Sequence, residues 1–295
     1  MSTTRNSVRM LAGLGVSLTL VMSQALSAAP AAASGGQSFV EVVNLRVEGR
    51  HDQPLGIDNP HPLLSWQMVE TGRARAHPCR WARLPLACPG DSQTAYQIQA
   101  ATSEADLRQG QLLWDSGKVA SAVQSGVRWG GPQLVSRQRV VWRVRVWDAN
   151  RFASDWSEPS SWEMGLIRQS DWGSARWIEY PGRTELQPMP IFAKQFAVDH
   201  RKQVSRARLY VSGVGLHLAS LNGKQLTDEV LAPGNSNYQL SSEYRTYDVT
   251  DDVRKGDNTL GVQVGNGPAY VRGPVTVVGT DIYDLDRDGN GIGCE

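Results

Sequence analysis

The stretch Arg139–Asp148, RVVWRVRVWD, constrains the fold more than any other part of the chain. Trp142, Val144 and Val146 fall on one side of a two-residue period, and Arg143, Arg145 and Trp147 fall on the other. An extended strand places alternate side chains on opposite faces, so this pattern describes a strand with one buried and one wet face. That arrangement belongs to antiparallel sheets packed on one side. Trp142 is therefore read as a core residue. The same period recurs in AYQIQAAT, where Tyr96, Ile98 and Ala100 alternate with Gln97 and Gln99. VEVVNLRVEG and LLSWQM add two further strands around the turn-prone GIDNPHP. WSEPSSWEMG reads as an edge strand interrupted by Pro159, which has no N–H to give to a ladder. One helical turn is expected in TSEADLRQG, with Ser103 as its N-cap. Short strands separated by Gly, Pro and Asn turns imply an all-β fold, beginning with a fibronectin- or immunoglobulin-like sandwich over 38–166.

A linker carrying Trp172 and Trp177 leads to a second unit, expected over 167–275. In IFAKQFAVD and VSRARLYVSG, Ala207, Leu209 and Val211 alternate with Arg206, Arg208 and Tyr210. Asn222-Gly223 is the pair favoured in two-residue hairpins, because both residues accept positive φ. A turn is expected at Lys255–Asn258, between the strands of EYRTYDVTD and TLGVQVGNG. Five or six strands make this a partial jelly-roll β-sandwich, since a full one needs about eight.

Charge narrows the function classes. The chain has 30 basic and 29 acidic residues, so no polybasic face argues for nucleic acid. Arg5 and Arg9 precede the apolar run Met10–Met22 and the small-residue stretch SAAPAAASGG. This run is shorter than the ~20 residues of a membrane span. It reads as a signal peptide over 1–33, cleaved near Ala33 with Ala31 and Ala33 at the small positions. Secretion is the expected localisation, with no membrane span. In an oxidising compartment Cys79 and Cys88 are expected to close a local disulfide in a Pro- and Arg-rich loop, the alternative being two free thiols. Cys294 is left over, no cysteine or histidine cluster has zinc spacing, and the five histidines are scattered.

The phrases PLGIDNPHPLLSW, AYQIQAA, LLWDSGKV, GGPQLVSRQRVVWRVRVWD, WSEPSSWEMGL, ARLYVSGVGLHLASLNGKQL, LAPGNSNY and YDVTDDVRKGDNTLGVQVGNG form an ordered set. The set resembles the N-terminal modules of bacterial α-L-rhamnosidases over roughly Val40 to Gly267. The resemblance implies a fibronectin-like domain and then the β-sandwich that precedes a catalytic helical toroid. It also implies an inverting glycoside hydrolase, whose acid and base carboxylates sit on that toroid. Inverting hydrolysis needs two carboxylates ~6.5–9.5 Å apart. After GNGPAYVRG only PVTVVGTDIYDLDRDGNGIGCE remains, so no catalytic residue is carried over. Asp148, Asp155, Glu158 and Glu163 are expected to be solvated loop or edge carboxylates. Trp129, Trp147, Trp172 and Trp177 are candidates for stacking on sugar rings, with packing between the two domains as the favoured alternative.

The closing DLDRDGNGIGCE carries the strongest site signal. Calcium takes six to eight oxygens, which alternating carboxylates on a tight turn can supply. One register matches an EF-hand loop, with Asp284, Asp286 and Asp288 leading, Gly289 at the turn, Asn290 offering its carbonyl and Glu295 last. The other starts at Asp286 and resembles the excalibur calcium-binding motif of secreted bacterial proteins over about 281–295. It is preferred because it accounts for Cys294 and needs no flanking helices. The metal candidates are thus Asp284, Asp286, Asp288, Asn290 and Glu295, with calcium as the cofactor. Three readings follow: a secreted, non-catalytic, carbohydrate-associated β-sandwich protein with a calcium-binding tail; a truncated or frameshifted α-L-rhamnosidase; and a calcium-dependent surface-interaction module. The expected partner is a rhamnose-containing carbohydrate or a cell-surface component.

Overall fold

The computed structural model describes residues 38, 40–71, 92–180, 190–234, 236–238 and 240–265, together with the backbone of 275–276 and 292–293. The first sandwich opposes two sheets. One holds β1 (Val40–Val47), β3 (Leu63–Glu70) and β6 (Val127–Arg128) in the order β1-β3-β6. The other holds β2 (Leu55–Ile57), β4 (Ala95–Ala101), β5 (Trp114–Asp115), β7 (Arg139–Trp147) and β8 (Ser160–Met164) in the order β2-β8-β7-β4-β5. Their inner faces meet in one apolar core that includes Val42, Leu64, Trp66, Ile98, Val140, Trp142, Val144, Val146 and Trp162. Trp142 lies within it, as its place in the alternation requires. Indole rings then pack edge to face, Trp129 against Trp114 at 4.7 Å and against Trp162 at 5.5 Å.

The expected helical turn forms as α1 (Glu104–Gln109). The Ser103 hydroxyl accepts from the Asp106 N–H, and Gly110 closes the helix in the left-handed region. Its Leu107 packs with Ala101 and Val141, covering one end of the outer sheet face. Pro159 stands just before β8. Upstream of it, Ser154 and Ser157 donate their N–H groups to Val146 and Val144. Their hydroxyls accept from the N–H groups of the same two residues at 3.1 and 3.0 Å. Side-chain oxygens thus take the place of a carbonyl ladder where proline excludes a regular strand.

The second sandwich opposes a four-stranded sheet to a two-stranded one. The larger sheet has the order β12-β11-β14-β9, from β9 (Ile191–Val198), β11 (Leu216–Leu221), β12 (Lys224–Gln225) and β14 (Gly256–Gly265). The smaller pairs β10 (Arg208–Ser212) with β13 (Tyr244–Asp248). Asn222 and Gly223 both take positive φ in the β11–β12 hairpin, as expected. The expected turn at Lys255–Asn258 is displaced, because β14 already begins at Gly256. Asn258 is buried there: its Oδ1 accepts from the Arg254 N–H, and its Nδ2 donates to the carbonyls of Arg254 and Gly256. Those bonds turn the chain upstream and let the strand start early. A last short pair joins β15 (Val275–Thr276) to β16 (Ile292–Gly293). Among the described residues no helix is long and apolar enough to cross a membrane.

Candidate functional site

The two sandwiches are joined through a buried charge. Glu163 on β8 is 2% exposed, a correction to its expected solvation. Arg208 on β10 grips it bidentately, Nε to Oε1 at 3.1 Å and a terminal nitrogen to Oε2 at 2.9 Å. Arg206 stands 3.6 Å away, and Arg208 also reaches Asp248 at 2.7 Å. A planar guanidinium matches a carboxylate in this fork geometry, which is why the pair tolerates burial. Beside it the Tyr244 hydroxyl accepts the Leu166 N–H at 2.8 Å, and the Tyr244 ring meets Trp172 edge to face at 5.4 Å. Asp148 is a second correction. It is fully buried, and its Oδ1 accepts the Phe152 N–H at 3.0 Å to hold the turn after β7. Asp155 and Glu158 are exposed, as expected.

The second sandwich carries an open cleft of 350 Å³. One end of β11 and β14 forms its floor, with Leu218 and its strand partner Gln263, and the loop Asp228–Ala232 forms its rim. The loop is tied to the strand by the His217 N–H, which donates to the Ala232 carbonyl at 2.8 Å. Leu231 on the rim takes a positive φ of 58°, a strained conformation for a bulky side chain. His217 is only 6% exposed, yet neither ring nitrogen has a hydrogen-bond partner among the described residues. Burial pushes its imidazole below the ordinary histidine value, and the nearby Arg245 cation pushes the same way. Both ring nitrogens are closed off from solvent, on the face of β11 opposite Leu218 and its strand partner Gln263, so the polar groups offered to the cleft are those of Gln225, Asp228, Glu229 and Gln263. Such a lining suits a small hydroxylated ligand.

The tryptophan candidates part company. Trp129 is 2% exposed inside the first core, so it serves neither sugar stacking nor domain packing. Its neighbours Trp114 and Trp162 are separated from it in sequence, and no local pattern marks them as its cage. Trp172 packs against the second sandwich, in the manner favoured. Trp147 lies on the outer face of the first sandwich between Lys118 and Arg145. Trp177 is 68% exposed. The metal candidates Asp284, Asp286, Asp288, Asn290 and Glu295, the expected Cys79–Cys88 disulfide and the signal segment lie outside the described residues. Among the described residues no three His, Cys, Asp or Glu side chains gather as a metal site. The cleft around His217 was missed by sequence reasoning, since a single histidine carries no spacing signal.

Two family models match. Residues 79–168 match the Rha78A-like, N-terminal immunoglobulin domain, and residues 202–288 match the α-L-rhamnosidase N-terminal domain. An α-L-rhamnosidase of Formosa agariphila is 34% identical over 234 residues, 72% of this chain and 23% of that protein. An α-L-rhamnosidase of Alteromonas sp. (strain LOR) is 39% identical over 233 residues, 76% of this chain and 23% of that protein. Among solved structures, the α-L-rhamnosidase from Dictyoglumus thermophilum aligns with a TM-score of 0.64 and 28% identity, over 77% of this chain and 25% of that one. The chain therefore spans about a quarter of the length of the relatives it matches. Through both sandwiches it resembles the N-terminal part of an α-L-rhamnosidase.

Proposed function

We propose that the chain is a secreted, carbohydrate-associated β-sandwich protein that recognises rhamnose-containing glycans without cleaving them and binds calcium at its acidic terminal run. The observation that carries the recognition reading is the open cleft on the second sandwich, where the amides of Gln225 and Gln263 meet the carboxylates of Asp228 and Glu229 over apolar Leu216 and Leu218. Its 350 Å³ matches the lower end of small-molecule sites. The rhamnosidase relatives supply the sugar class. Titration calorimetry with L-rhamnose and a rhamnosyl oligosaccharide tests it. Binding that Gln225→Ala with Gln263→Ala abolishes is expected, and equal heats for wild type and variant would refute the reading.

For calcium, the support is the chemistry of the donor set. Asp284, Asp286, Asp288, Asn290 and Glu295 offer only oxygens, as a hard cation requires. In the sequence the four candidates Asp284, Asp286, Asp288 and Asn290 fall between the paired segments β15 and β16. Asp286 and Asp288 belong to both registers, so alanine at either is expected to abolish terbium luminescence. Silence of the wild-type chain at millimolar terbium would refute the metal site.

A second reading treats the sandwiches as the N-terminal part of a working α-L-rhamnosidase that continues beyond this sequence. It is favoured by the 23% of each curated relative that the chain covers. Sequencing the coding DNA past the Glu295 codon separates the two, since only the second reading expects a catalytic region to follow, in the same or another frame.

A further inference from the structure

The outer face of the first sandwich carries a ladder of alternating cations and indoles. Arg143 and Arg145 point outward from β7, and Trp156 is brought over both by the serine-bonded segment upstream of Pro159, at 4.6 and 4.7 Å from their guanidinium carbons. Arg145 also faces Trp147 at 5.1 Å, and the Lys118 ammonium covers the same ring at 4.3 Å. The order is therefore Arg143, Trp156, Arg145, Trp147, Lys118. Contacts of this kind hold a cation in place over an aromatic face without neutralising it.

The polar bonds along the ladder leave one edge of each arginine uncommitted. Arg143 donates from Nε and one terminal nitrogen to the Gln99 carbonyl oxygen, at 3.2 and 2.7 Å. Arg145 does the same to Gln97, at 2.9 and 2.7 Å. The two amides donate in turn to the single carboxylate of Asp115, at 2.7 and 2.9 Å. Asp115 is thus held by the amides and does not pair directly with either arginine. Among the described residues the ladder itself holds three cations, Arg143, Arg145 and Lys118, and the amides beneath it hold one carboxylate, Asp115. Burial and the neighbouring Arg145 hold the Arg143 guanidinium below its ordinary value, while Asp115 pushes the other way, and the group stays charged.

We infer that this ladder is a docking face for a polysaccharide carrying anionic groups. Arg143 and Arg145 are two residues apart on one strand, hence about 7 Å apart on one face, which presents a row of positive groups rather than a single anion pocket. The faces of both indoles are taken up by these cations, so the ladder offers an anionic chain fixed positive charge rather than a stacking surface. The chain as a whole carries a net charge of only +1, so the local surplus is not part of a general polyanion-binding surface. This face lies on the first sandwich and the His217 cleft on the second, so binding here stands or falls separately from rhamnose recognition.

Affinity electrophoresis of the full chain tests the assignment, in gels containing polygalacturonate, dextran sulfate, neutral dextran or duplex DNA. Retardation by polygalacturonate or dextran sulfate, but not by neutral dextran, is expected, and the two anionic arms distinguish carboxylate from sulfate. The pair Arg143→Gln with Arg145→Gln should weaken it about tenfold, as loss of two charge-assisted contacts implies. Lys118→Ala sits at the exposed end, leaves the sheet intact and should weaken retardation about twofold to threefold. No retardation in either anionic gel overturns the proposal. So does retardation that all these variants leave unchanged, or DNA binding as strong as polysaccharide binding.

Discussion

Glu163 shows how much one side chain decides. A carboxylate this deeply buried is tolerated because Arg208 satisfies both oxygens and Arg206 stands close by. Removing one partner of a buried pair leaves the other charge uncompensated, which costs roughly 3–5 kcal/mol. Glu163→Ala is expected to lower unfolding stability by that order in urea titrations of the full chain, whereas Glu158→Ala, at an exposed position, should change it by less than about 0.5 kcal/mol. His217 gives a pH-dependent counterpart. Its folded value lies below the ordinary one, so the unfolded chain binds the extra proton first as pH falls. The contribution of the neutral imidazole is fully present above about pH 6.5, and it is lost as pH falls through the depressed folded value. Arg245 adds to this penalty, and Arg245 is itself paired with Glu229 and Glu243. His217→Gln should flatten the slope of stability against pH in that window. An unchanged slope would place the acid sensitivity elsewhere. Neither residue was legible in the sequence. A carboxylate in SSWEM looks like any strand-edge charge until the partner arginine, far along the chain, is seen to fold against it.

At the scale of elements the sequence is far more readable, because a strand's period is local. β7 was legible down to which residues face inward, since Trp142, Val144 and Val146 needed only their spacing to be assigned. The Asn222-Gly223 hairpin was legible for a similar reason, because the φ each turn position demands is met by very few residue types. Where β7 lacks a regular neighbour the local rules failed. Nothing in the pattern of WSEPSSW says that Ser154 and Ser157 bond the strand with their hydroxyls. Those bonds are buried, so losing one leaves the Val144 N–H without that acceptor. Ser157→Ala is expected to cost about 1–3 kcal/mol and to loosen Trp156, the next residue upstream, from its two arginines. Tryptophan fluorescence and urea titration together check this. A stability loss with unchanged fluorescence would separate the hydroxyl bond from the ladder. The tryptophans themselves were the least legible elements, because an indole serves a core, a joint or a surface equally well, and Trp129, Trp172 and Trp147 do one each.

For the whole molecule, the joint matters more than either sandwich alone. The second sandwich is thinly built, and β9 to β14 supply few fully buried apolar side chains, among them Ala219, Leu221 and Val249. By contrast the first sandwich buries Trp129, Trp142 and Trp162. A poorly filled module gains stability from a well-filled one only where the two are coupled, and here coupling runs through Glu163, Tyr244 and two close backbone approaches. Gly56 has a positive φ, and a Cβ on it would meet the Thr246 hydroxyl at 2.7 Å. A Cβ on Gly165 would strike the Tyr244 hydroxyl, which holds the Leu166 N–H. The two sandwiches should therefore unfold as one cooperative transition in calorimetry. Gly165→Ala forces Tyr244 aside and also presses on the Gly56 backbone at 3.1 Å, both at the joint, so it should split that transition, with the second sandwich melting first. If the variant instead lowers one undivided transition, coupling does not depend on the Tyr244 contact, and the Glu163–Arg208 pair with the close approach of Gly56 to Thr246 suffices to hold the sandwiches together.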